Sequence, residues 1–103
     1  MDDSEKKKVL FTQLILMFHG AAMQQMGKIK NPVTDKIERD LTQAEFSIDM
    51  LDMMKDKTKG NLSPEEERFL QSLLQELKLN FVDEVGKDQG RQPQKQSSTE
   101  SAQ

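Results

Sequence analysis

The chain has 103 residues, a formal net charge of -3 and no cysteine. That length fits one small domain, and the missing thiols exclude a disulfide scaffold, thiolate metal sites and thiol catalysis while suiting a reducing compartment such as the cytoplasm. Hydrophobic residues are 34% and charged residues 32%, with five Phe and neither Trp nor Tyr. This poor supply of strand-favouring residues argues against a β-sandwich or barrel, and the slight acidic excess removes any chain-wide positive field for nucleic acid.

Residues 1–8 are polar and read as a flexible N-terminus. A first helix is predicted from Glu5 to Met26, with Gly27 placed for the left-handed residue that follows a helix. No Asp, Glu, Lys or Arg stands between Lys8 and Lys28. Thr12, Gln13, His19, Gln24 and Gln25 nevertheless make the stretch too polar for a membrane span or a signal peptide, so no membrane partner is expected. On this helix Leu10, Phe11, Leu14, Ile15, Phe18, Ala21, Ala22 and Met26 cover about half the circumference by helical spacing. Val9, Leu16 and Met23 recur at heptad spacing on the other half.

Asn31-Pro32 marks a turn. The second helix is predicted from Thr34 or Asp35, with Glu38 three residues after Asp35 as a capping-box-like pair, to about Thr58. Ile37, Leu41, Ala44, Ile48 and Leu51 form its core stripe, while Phe46, Met50 and Met53 form a ridge on nearly the opposite side. Gly60 and Asn61 end it. The third helix opens on Ser63 as N-cap, Pro64 at the first position and Glu66 three residues after the cap, and is predicted to reach about Val85. Phe69, Leu70, Leu73, Leu74, Leu77 and Phe81 line one face of it. So short a link between the second and third helices makes them an antiparallel hairpin.

The domain therefore spans residues 9–85 as an all-α bundle of three long helices. Residues 86–103 carry no large apolar side chain and read as a disordered polar tail, whose removal from Gly86 onward is expected to leave the melting temperature unchanged. Three helices cannot bury both faces of two of their members. A homo-oligomer, a dimer first, is expected, with Val9, Leu16 and Met23, joined by Phe46, Met50 and Met53, as the oligomer or protein-partner surface. The methionines supply adaptable thioethers for such contacts.

Catalytic constellations are scarce. His19 is the single histidine, and on an apolar helix it reads as a packed or interface-lining imidazole. Glu38, Glu45, Asp49, Asp52 and Asp56 read as a solvated acidic face, and no cofactor, metal ligand set or catalytic residue is assigned. Lys55, Lys57 and Lys59 answer the helix dipole at the C-terminal end, and Lys59 can reach the Glu65 to Glu67 cluster. The same lysines could instead form a corner for an anionic partner.

Met26-Gly27, Asn31-Pro32, Asp40-Leu41, Ile48-Asp49-Met50-Leu51 and above all Lys57 to Glu67 (KTKGNLSPEEE), followed by LLQELKLNFVDE, resemble the small bacterial proteins grouped as domain of unknown function 1844. The resemblance covers Phe11 to Glu84 and implies a short helical cytosolic protein, with no reaction or ligand attached. Together these readings give a noncatalytic interaction or adaptor protein that self-associates. The alternative is a small RNA- or ribosome-associated factor using the lysine corner, and the third reading is an acidic metal-dependent enzyme.

Overall fold

The computed structural model describes residues 1–90. It consists of α1 (Asp3–Gln25), α2 (Leu41–Lys57) and α3 (Pro64–Asp88), and its described residues hold no strand beyond one isolated bridge. The expected all-α fold of three helices is present.

Helix α1 starts two residues before the predicted Glu5 because Asp2 caps it: the Asp2 carboxylate accepts from the Glu5 N–H at 2.8 Å, and Glu5 accepts from the Asp2 N–H. Residues 3–8, expected to be flexible, are thus helical. At the other end Gly27 adopts φ +82, donating to the Gln24 carbonyl at 3.0 Å, while Lys28 donates to that of Met23 at 2.9 Å. This double closure satisfies the last carbonyls of the helix and needs a left-handed residue, which glycine supplies without a Cβ penalty.

The start of α2 departs from the predicted Thr34 or Asp35. The Asn31 side-chain oxygen accepts from Val33 N–H at 2.8 Å, Asp35 N–H donates to the Asn31 carbonyl at 2.7 Å, and Asn31 bridges to Lys36. Asp35 itself stands at φ 58, a left-handed geometry incompatible with a helical first turn. Glu38, instead of capping Asp35, accepts from the Asn31 amide at 2.7 Å. The helix waits for Asp40, whose carboxylate accepts from Gln43 N–H at 3.1 Å. Ile37 consequently lies outside the helix and is exposed, so it does not join the core stripe.

The α2–α3 hairpin forms as predicted. Thr58 donates its hydroxyl to the Met54 carbonyl, Gly60 turns the chain at φ +85, and Ser63 and Glu66 cap α3 reciprocally with Pro64 at its start. Helix α3 runs on past Val85 to Asp88, and Gly86 is buried, so residues 86–88 belong to the folded domain. The rest of the expected tail, residues 91–103, lies outside the described residues.

Ile15, Ala22 and Met26 of α1, Ala44, Ile48, Leu51 and Met54 of α2, and Leu70, Leu74 and Leu77 of α3 make the buried core. Backbone and side-chain contacts set the helix directions. Asp40 N–H donates to the Gln25 carbonyl at 2.7 Å, and the Ser47 hydroxyl lies 2.7 Å from the Gln25 amide, so α2 doubles back along α1. His19 meets Glu76 at 3.1 Å and Lys28 meets Glu84 at 2.7 Å, so α3 runs parallel to α1. Lys78 reaches Asp52 at 3.4 Å across the hairpin. Among the described residues no helix is long and apolar enough to cross a membrane.

Candidate functional site

Helix α1 is flanked by α2 on one side and α3 on the other, and this decides where its surplus apolar residues lie. Gln25 marks the α2 side, where Ala21 and Leu14 precede it at helical spacings of four and eleven residues. His19 marks the α3 side, where Leu16 and Met23 are its neighbours three residues before and four after. The row Val9, Leu16, Met23 therefore borders α3. On α2, Met50 stands one turn after Ser47, which faces α1, and Phe46 and Met53 adjoin Met50, so this ridge borders α1 from the opposite side.

The two predicted sets of partner residues thus do not merge. They lie on opposite edges of α1. Val9, Leu16, Phe46, Met50 and Met53 are exposed, with Phe46 at 63%, while Met23 is partly buried against the core. Leu10 and Leu14, expected within the core stripe, are exposed as well, because they lie on the outer side of that stripe, towards Met17 and away from the buried Ile15 and Ala22. Between the two edges the solvent side of α1 presents Met17, 68% exposed, together with Gln13, Gly20 and Gln24. From Val9 to Gln25, nearly five turns by helical rise, this outer face carries no Asp, Glu, Lys or Arg. The exposed sides of α2 and α3 differ, carrying Glu45, Asp49 and Asp56 on one and Glu67, Arg68 and Lys78 on the other.

Of the lysines at the hairpin, Lys55 and Lys57 belong to the last turn of α2 and Lys59 follows its C-cap Thr58. Lys55 and Lys57 are two residues apart on a helix and point to different sides. Lys59 makes no ion pair with Glu65 to Glu67 among the described residues; Glu66 is engaged instead by the Ser63 N–H at 2.9 Å. The acidic row is also divided, since Glu38 binds Asn31 and Asp52 binds Lys78. No group of His, Asp and Glu suited to a metal ion occurs among the described residues. An open cleft of about 310 Å³ lies between the starts of α1 and α3, lined by Lys8, Thr12, Ser63, Glu66 and Phe69 among others, and the polar groups of Ser63 and Glu66 there are engaged in the α3 cap.

One polar cluster is absent from the sequence reading. Glu84, 5% exposed, accepts from Lys28 at 2.7 Å, from Arg39 Nε at 3.0 Å and from Lys87 at 3.0 Å. Arg39 also donates to the Glu84 carbonyl at 3.0 Å and to Asp88 at 2.7 Å. Burial pushes the Glu84 carboxyl up, but the hydrogen bonds from Lys28, Lys87 and Arg39 outweigh it and hold the carboxyl at about 2. Asp88 and Glu84 in turn hold the Arg39 guanidinium above its usual range. Every charge here has a partner within the chain, so the cluster ties the 28–39 connector to the end of α3. A signal for it exists: Glu84 follows Leu77 by one heptad and so sits on the apolar face of α3.

The pairing of Gly27 against Arg39, the Asp40 cap and the Gly60–Ser63 hairpin all rest on the segments that carried the family resemblance. A family model described as domain of unknown function (DUF1844) matches residues 8–83. The chain belongs to this family. The match takes in α1 from Lys8, all of α2 and most of α3, and ends immediately before Glu84. No curated protein and no solved structure matches the chain.

Proposed function

We propose that this DUF1844 protein is a noncatalytic interaction protein that pairs with a second copy of itself, working in the reducing cytoplasm that a cysteine-free sequence suits. The observation that supports it is the pair of exposed apolar rows, Val9 and Leu16 on one edge of α1 and Phe46, Met50 and Met53 on the other. A monomer pays for such exposure in solubility, and an oligomer interface or partner surface removes it from water at roughly 25 cal/mol per Å². The thioethers of Met50 and Met53 let the α2 ridge adapt to a further protein, which gives an adaptor its second contact.

The test is light scattering behind size exclusion over a hundredfold concentration range. A mass of twice 11.8 kDa or a higher multiple is expected. A constant 11.8 kDa contradicts self-association.

A further inference from the structure

The pairing surface has features that select its occupant. Gly20 sits in the interior of α1, where glycine disfavours the helix relative to alanine. A Cβ built on it meets nothing within 4 Å, so nothing inside the chain requires a glycine there. Gln13, Met17, Gly20 and Gln24 follow one another at spacings of four, three and four, so they form one uncharged row along the outer side of α1. A missing side chain on such a row permits close approach of a second backbone.

Resting on the reading of a self-associating protein, we infer that the outer face of α1 packs antiparallel against α1 of a second copy, about a two-fold axis near Leu16 and Met17. Three features fit this occupant. Both sides of the contact are free of charge between Lys8 and Lys28, so no ion has to be desolvated. Gly20 faces Gln13 of the partner subunit, a gap against a long side chain. At the ends, Lys6, which forms no ion pair among the described residues and lies on the Met17 side of the helix, comes beside the partner's α1 C-terminal turn, which has no basic residue of its own to answer its dipole. The face is about 25 Å long and continues into the α2 ridge beside it.

The cysteine-free chain makes introduced thiols specific reporters. Under mild oxidation or with a short bis-maleimide, Met17→Cys is expected to be captured as a covalent dimer. Gln13→Cys alone is not, whereas a mixture of Gln13→Cys and Gly20→Cys gives the mixed dimer. A Gly20→Leu variant, whose side chain has open space in the monomer, should keep its helical circular dichroism and self-associate at least tenfold more weakly. Capture of Phe46→Cys without capture of Met17→Cys would overturn the α1 pairing while leaving self-association intact. Parent-like association of Gly20→Leu would also overturn it. A parent that stays at 11.8 kDa in light scattering removes both the pairing and the reading it rests on.

Discussion

Lys28, Arg39 and Lys87 all converge on Glu84, whose protonation is linked to folding. Its folded value of about 2 lies below the ordinary 4.5. A depressed carboxylate stabilises the fold fully above the unfolded value, and this contribution is lost as pH falls from about 4.5 towards about 2. Urea titrations at fixed protein concentration should show that loss in the parent. In Glu84→Gln the acid-dependent step should shrink, with stability at neutral pH lower by about 2 kcal/mol through lost charge-assisted hydrogen bonds. An acid dependence as steep as the parent's contradicts the assignment. Gly27→Ala tests the neighbouring constraint, because its Cβ would lie 3.2 Å from Arg39 Cδ at φ +82. A loss of about 1 kcal/mol or more is expected, seen as a melting temperature lower by roughly 5 °C.

Among the elements, those closed by local chemistry were legible in the sequence. Ser63, Pro64 and Glu66 announced the start of α3, and Gly27 and Gly60 the turns after α1 and α2, because each needs only its own neighbours. The Asp35–Glu38 signal resembled the same cap but lost to Asn31, whose side chain captures both Val33 and Glu38. Two apolar ridges could be counted from spacing, yet which edge of α1 each occupied depended on the sides taken by α2 and α3. The end of α3 was missed because its partners, Lys28 and Arg39, are distant in sequence. A chain ending at Val85 should therefore melt at a lower temperature than one ending at Gly90, having lost the buried Gly86 and the Lys87 and Asp88 contacts of the cluster. Equal melting temperatures for the two would restore the original expectation that nothing beyond Val85 contributes.

At the scale of the whole molecule, the three helices close a small core and leave one helix with an outer side uncharged from Val9 onward. Core burial, the Glu84 tie and the capped hairpin account for the fold of one copy; the chargeless stretch of α1 from Val9 onward, with Gly20 within it, is unexplained by that fold alone. Met17 stands on this face at 68% exposure, so a charge there does not disturb the core of one chain. Buried in a contact that holds no opposite charge, the same carboxylate costs several kcal/mol. Sedimentation equilibrium of Met17→Asp beside the parent is the direct comparison. The parent should sediment at twice 11.8 kDa and the variant, with unchanged helical content, at 11.8 kDa. Equal masses for the two proteins would contradict the account.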